Sequence, residues 1–481
     1  MFEFLEQIRL AGRAFAEFSS HLFDPTIRLG ITGLSRAGKT VFITALINAL
    51  TRGGRFPVFE ALDSGRIARA RLAPQPDDGV PRFDVEGNIA ALSQRNWPES
   101  TRQISELRLV IDYQSKNGAQ RTLTLDLVDY PGEWLLDLPL LEKSYETWSA
   151  ESVTMLRQAP GTAGTAWSAF LSSLDPSAAE NEQTAIEAAR LFTAYLQSRR
   201  ETNEGMSLAP PGRFLMPGDL AGTPALTFAP LDLAPHAAPP AAGSLHAMMI
   251  RRYEAYQDIV VRPFFRDHFA RLDRQIVLVD AMAAINAGPR AVHELQQALG
   301  AVLDCFHVGR NTLWGALFRP RIGRILLAAT KADHLHQTSH DRLEHILRHL
   351  AAPAVAKADL AGALVDVAAL AAVRATREAT VERGGERLAC VAGTPLAGEV
   401  FDGHIFDGAT EVAFFPGDLP SNPDDLFRPS SVAAGGGRHD PDLRFLKVRP
   451  PAPSLTAEGV AILPHIRLDR ALQFLIGDRL Q

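Results

Sequence analysis

Apolar positions along this chain recur with two periods, and the switches between them outline its architecture. Residues 27–32 form a short apolar run that predicts a strand, and 39–51 carry helical spacing that stops near Gly53-Gly54. Residues 55–104 are rich in Pro, Gly and Arg with little periodicity, which predicts a long loop region. Residues 105–113 and 123–128 predict two strands, paired as a hairpin around Gly118. After Gly132 the pattern turns helical: 139–158, 178–200 and 246–272 predict helices, and 205–245 is a Pro-, Gly- and Ala-rich break. Strands return at 276–280 and 325–329, with helices at 291–305 and 338–351 and a short strand at 369–374. Residues 395–440, with Gly435-Gly436-Gly437, predict loops, and 468–480 a closing helix.

The strands before and after the helical stretch fit one sheet. The expected fold is α/β, a doubly wound, mostly parallel sheet with a helical insertion subdomain. The expected division is 1–26 as an N-terminal amphipathic helix, 27–134 as the first part of the sheet domain, 135–270 as the insertion, and 271–481 as the second part. In the N-terminal helix, Phe4, Ile8, Phe15, Phe18 and Leu22 share one face. That face predicts packing on the domain that follows. An interfacial membrane anchor is the alternative, weakened by charges of both signs on the polar face.

Composition narrows the function. The formal net charge is −6 over 481 residues, so nothing predicts a nucleic-acid partner. The two cysteines, Cys305 and Cys390, are far apart, which argues against a disulfide framework and suits a reducing compartment. No run of about 18 apolar residues is present, so no transmembrane segment is expected. The first residues lack the basic start of a signal peptide.

The chemistry is concentrated in three places. Gly33-Leu34-Ser35-Arg36-Ala37-Gly38-Lys39-Thr40 follows the first strand and opens the first helix. Its glycines let the backbone wrap a phosphate chain, the helix N-terminus adds partial positive charge, Lys39 reaches the outer phosphates, and the Thr40 hydroxyl can ligate Mg²⁺. Gly33, Ser35, Arg36, Ala37, Gly38 and Val41 complete the expected contacts. Lys39 reads as a surface charge whose removal leaves stability nearly unchanged. Second, Asp129-Tyr130-Pro131-Gly132 ends a strand, where Asp129 can hold the metal and Gly132 can offer its N–H to a γ-phosphate. Glu133 stands where many GTPases carry a water-orienting Gln, so slow hydrolysis is expected. Third, Thr330-Lys331-Ala332-Asp333 follows a strand. Asp333 can accept both N–H groups of a guanine edge, and Lys331 can lie along base and ribose. The end of the next predicted strand, Ala372-Val373-Arg374-Ala375-Thr376, either lends backbone N–H groups to the base oxygen, with Ala375 as the expected contact, or is a plain strand end. A mobile loop before the strand at 105 supplies Thr101 as the expected third metal ligand, with Ser100 second. There Arg102 would neutralise phosphate charge, and Trp97 either covers the base or packs in the core. Lys39, Thr101, Glu133 and Arg102 are the expected catalytic residues, and Thr40, Thr101 and Asp129 the expected metal ligands.

These stretches, with Arg274-Gln275-Ile276-Val277-Leu278-Val279-Asp280 and Pro464-His465-Ile466-Arg467-Leu468-Asp469, resemble the YcjX family of bacterial P-loop GTPases, often described as stress proteins. The resemblance runs from near residue 28 to the C-terminus. It places the family's phosphate loop on Gly33 to Thr40, its switch hydroxyl on Thr101 and its base-reading Asp on Asp333. It implies Mg²⁺-dependent GTP and GDP binding, a protein effector or inner-membrane partner, and a cytoplasmic setting with peripheral attachment as the alternative. Two other readings stay open: an ATP-dependent P-loop enzyme, against which the Thr330–Asp333 motif argues, and a nucleotide-binding scaffold, which Glu133 keeps in play.

Overall fold

The apolar runs assemble into one seven-stranded sheet. This computed structural model describes residues 25–33, 37–99, 103–158, 161–202, 211–220, 222–234, 239–305, 322–360, 362–383, 385–401, 403–428, 443, 445–452, 454–455 and 461–481. The predicted helix face from Phe4 to Leu22 lies outside them, as do Ser35, Arg36, Ser100, Thr101, Arg102 and Gly435 to Gly437.

In chain order the strands are β1 (Thr26–Gly33), β2 (Ile67–Ala73), β3 (Ser105–Gln114), β4 (Gln120–Asp129), β5 (Arg274–Val279), β6 (Arg324–Ala329) and β7 (Leu364–Ala369). Across the sheet they run β2-β3-β4-β1-β5-β6-β7. From β4 to β7 every neighbouring pair is parallel, and β3 is antiparallel to both its neighbours. The predicted hairpin is β3–β4, turned through Gly118 at φ 84°. β5 shows why its sequence is a continuous apolar run: Ile276 and Leu278 face one core, Val277 and Val279 the other. The first of these cores is covered by α1 (Lys39–Arg52) and by the C-terminal helix Leu468–Ile476.

The helices between β4 and β5 share the second core with the sheet. They include α2 (Tyr145–Gln158), α3 (Gly161–Ser173), α4 (Glu182–Thr202) and α5 (Leu245–Tyr256). Trp148 stacks on Tyr253 with ring centroids 5.2 Å apart, and Trp167 and Phe192 pack beside them. α3 was not expected from the pattern. Residues 132–142 form a 3-10 helix instead of the start of the predicted helix at 139, and Pro139 lies within it.

Three further expectations need correction. Residues 55–104 are not one long loop: they hold a short helix (Glu60–Asp63), β2 and a helix over Val85–Ser93. β2 is an edge strand with Arg69 and Arg71 exposed, so it lacks the apolar signature of a buried strand. The strand expected at 369–374 ends at Ala369, where its pairing with β6 stops. Within 395–440, β10 (Val412–Phe414) joins β8 (Arg377–Arg383) and β9 (Glu386–Gly393) in a small antiparallel sheet. Three residues of strand inside Gly- and Asp-rich turns leave no period to read.

Candidate functional site

The site forms at the carboxyl ends of the parallel strands, where open α/β sheets bind ligands. The chain leaves β1, and Gly38 adopts φ 80° before α1 begins at Lys39. α1 therefore points its N-terminus across the strand ends. Lys39 Nζ donates to Tyr130 O at 3.0 Å and lies 2.6 Å from Asp129 Oδ1. Lys39 is not the free surface charge expected: its side chain is only 12% exposed and that of Asp129 is 2% exposed. Beyond the ion pair with Lys39, no described residue donates to either Asp129 oxygen. A buried carboxylate with lone pairs unused is suited to a cation or to its bound water.

Beyond β4 the backbone turns so that Gly132 meets Gly33. A Cβ on Gly132 would lie 2.3 Å from Gly33 O, so no side chain fits there in this arrangement. The 3-10 helix that follows is bound to a remote segment. Asp137 accepts the Gly212 N–H at 2.6 Å, the Arg213 N–H at 3.3 Å and the Tyr256 hydroxyl at 2.7 Å. A Cβ on Gly212 would lie 1.9 Å from Glu133 O, so the two backbones touch. The Arg213 guanidinium lies 3.2 Å from the centre of the Trp134 ring, and Trp134 Nε1 donates to Met216 O at 3.3 Å. Residues 132–137 and 212–216 thus form one packed unit.

Burial pushes the Asp137 carboxyl up to about 6, and the bonds from Tyr256 and Gly212 and the nearby Arg213 charge only partly oppose it. A folded pKa above the unfolded value means that the native state binds the extra proton. The stability this gives is complete below the ordinary Asp value and is lost as pH rises through about 6. Denaturant titrations from pH 4 to 7 should show wild type losing about 2–3 kcal/mol relative to Asp137→Asn over that range. A pH-independent difference would show that Asp137 keeps an ordinary pKa.

The third region is the turn after β6. Lys331 sits at φ 59°, a left-handed conformation rare for a residue with a Cβ. Its ammonium pairs with Asp280, which also caps the helix Ala281–Ala287. Asp333 is buried, and its Oδ2 accepts the Ala375 N–H at 2.9 Å. Ala375 is therefore turned to Asp333 and not to the space where a base oxygen was expected. The Thr376 hydroxyl donates to Asp333 O, and the His340 ring nitrogen donates to Ala332 O at 2.9 Å. Burial lowers the His340 pKa, favouring the neutral ring, and the same nitrogen also reaches Leu335 O at 3.3 Å.

One cavity of about 970 Å³ joins these regions. Gly33, Ala37, Gly38, Lys39, Thr40 and Val41 line one end, Gly132 and Glu133 its side, and Thr330, Lys331 and Asp333 the other end. Trp97 is half-buried and lines the cavity, and its Nε1 donates to Val448 O at 2.7 Å. Asp129 lies behind Lys39 and does not reach the lining; Ala375 does not either. The strand end named in the sequence reading reaches the wall through Ala372 and Val373, while Leu370, Ala371, Met216 to Gly218, Leu396 and Lys447 are wall residues it missed. That reading also missed the supports Asp280, Asp137 and His340. Of the missed residues, only Leu370 and Ala371, directly after a strand of the sheet, had a positional signal.

The model of the YcjX-like family, DUF463, matches residues 27–480. The chain belongs to this family. It is 37% identical over 475 residues to the protein named Ras-like GTPase YcjX of Escherichia coli strain K12, covering 95% of this chain and 97% of that one. It is 34% identical over 487 residues to the protein of the same name in Shewanella oneidensis strain MR-1, covering 95% of each. In this YcjX-like chain, no helix among the described residues is long and apolar enough to cross a membrane. No group of three or more His, Cys, Asp or Glu side chains there could hold a metal ion.

Proposed function

We propose that this chain binds GTP and GDP in the joined cavity and hydrolyses GTP to GDP and phosphate, slowly, as a two-state switch. One observation carries the reading: Gly33 with Ala37 to Thr40, the Gly132-Glu133 corner, and Thr330, Lys331 and Asp333 line a single cavity. The shared name of the two relatives points the same way.

In this reading the α1 N-terminus and Lys39 hold the outer phosphates. Lys39 gives up its contact with Asp129 to do so, exposing the carboxylate to the metal region. Thr40, Asp129 and, from the loop before β3, Thr101 would hold Mg²⁺, with Ser100 as the second candidate. Bound there, Mg²⁺ neutralises phosphate charge. Arg102 adds positive charge at the same loop. Asp333 reads the guanine edge, and Lys331, fixed by Asp280, lies along the base. Ala372 offers the base oxygen a backbone N–H in place of Ala375. Glu133, with its carboxylate near the phosphates, orients water less readily than an amide, so turnover is slow. The stress-response role, a protein effector and a cytoplasmic setting with peripheral inner-membrane attachment rest on the family resemblance, and we include them in the proposal.

Phosphate release tests hydrolysis. With Mg²⁺ and GTP the chain should release phosphate at well below one turnover per second, and ATP should give no signal above background. Tight GTP binding with no release over hours would leave a nucleotide-binding scaffold as the account.

A further inference from the structure

The wall of the cavity includes three residues that none of the nucleotide motifs contains. Leu396, Lys447 and Val448 belong to the unit built around β8, β9 and β10. Pro395 bridges to Val448, the Leu396 N–H donates to Lys447 O at 2.7 Å, and the Arg449 N–H donates to Thr394 O at 2.8 Å. Two lengths of backbone therefore hold these side chains in fixed register. The same unit packs on the base-side turn. Phe445 meets His334 edge-on with ring centroids 6.0 Å apart, and Thr376, bonded to Asp333, leads straight into β8.

The unit also grips the segment that leads to Thr101. Trp97 donates to Val448 O, and Arg95, in the left-handed conformation at φ 60°, donates to Pro450 O at 3.1 Å. A second Arg95 nitrogen reaches Thr394 Oγ1 at 3.4 Å. Trp97 and Leu396 are half-buried, so each keeps apolar surface open beside the cavity. The Lys447 side chain is 77% exposed, and its ammonium lies 3.7 Å from Glu399 Oε1.

We propose that Leu396, Lys447 and Val448, with Trp97, form the outer wall of the nucleoside end, facing Lys331 and Asp333 across the bound purine and ribose. The inference deepens the guanine-nucleotide reading and rests on it. A purine buries two flat faces, and the motifs supply only one, the stem of Lys331. Trp97 and Leu396 supply the second, with Val448 buried behind them, as aromatic and apolar surface suits a base. Lys447 places a cation beside the ribose and its first phosphate. Because Arg95 and Trp97 are bonded to the same wall, an occupied nucleoside site fixes the stem of the loop that carries Thr101.

Equilibrium titration of the full chain with GDP and with GMP, in Mg²⁺, tests the placement. Leu396→Ser and Lys447→Ala should each weaken GDP and GMP by the same factor, about tenfold. Lys39→Ala should weaken GDP far more than GMP. Lys447 is exposed, so its variant decides the matter if Leu396→Ser does not fold. Unchanged GDP affinity in the folded wall variants overturns the proposal while wild-type GDP binding leaves the guanine-nucleotide reading intact. A loss for GDP without a loss for GMP overturns it too, since the wall would then meet the outer phosphates. Wild type that binds neither nucleotide removes the guanine-nucleotide reading and this proposal with it.

Discussion

Lys39→Ala should lose at least about 100-fold in affinity for GTP and GDP, and it should also unfold at a lower denaturant concentration than wild type. The binding loss follows from removing a charge-assisted donor to phosphate at a helix N-terminus, where no other described lysine or arginine lines that end of the cavity. The stability loss follows from the ligand-free contacts. Lys39 lies 2.6 Å from Asp129, whose side chain is 2% exposed and, beyond this ion pair, takes no donor from any described residue. Removing one partner leaves a buried charge uncompensated, which costs about 3–5 kcal/mol. The two effects separate in the pair Lys39→Met with Asp129→Asn, which removes both charges. That pair should recover most of the lost stability and still bind triphosphate poorly. A folded Lys39→Ala protein with wild-type GTP affinity would remove the phosphate site from the account.

Asp333→Asn should exchange base preference, losing about 100-fold for GTP and gaining xanthosine triphosphate. The neighbouring backbone makes the exchange specific. The Ala375 N–H donates to Asp333 Oδ2, so an asparagine would keep its carbonyl oxygen toward Ala375 and turn its amide N–H₂ to the base. Guanine presents donors at that edge, whereas xanthine presents an oxygen at C2, so the new donor repels one and suits the other. Competition binding with the two triphosphates reads the result. Equal GTP affinity in wild type and variant would contradict the role given to Asp333.

The sequence showed those elements whose residues meet the core on a regular period. β5 from Ile276 and β6 from Ile325 are unbroken apolar runs because both faces are buried, and α1 follows directly from the glycine-rich turn. β2 escaped notice because an edge strand carries arginines on its open side. The site was legible where a motif is local. It was not legible where a motif residue takes its partner from far along the chain. Asp280 meets Lys331 across 51 positions, and Asp137 meets Gly212 across 75. Lys39 was misjudged for the same reason: its partner Asp129 comes from a strand on the far side of β2 and β3 in sequence. Leu396 and Lys447 lie in turn-rich chain with no period to mark them, and only the fold brings them to the cavity wall.

Calorimetric titration of the wild-type chain with GDP and with ADP, in the presence of Mg²⁺, tests the central claim most directly. The account predicts one GDP per chain and an ADP affinity lower by at least about 100-fold, since adenine offers Asp333 no matching pair of N–H donors. ADP binding as tight as GDP, or no binding of either, would contradict it.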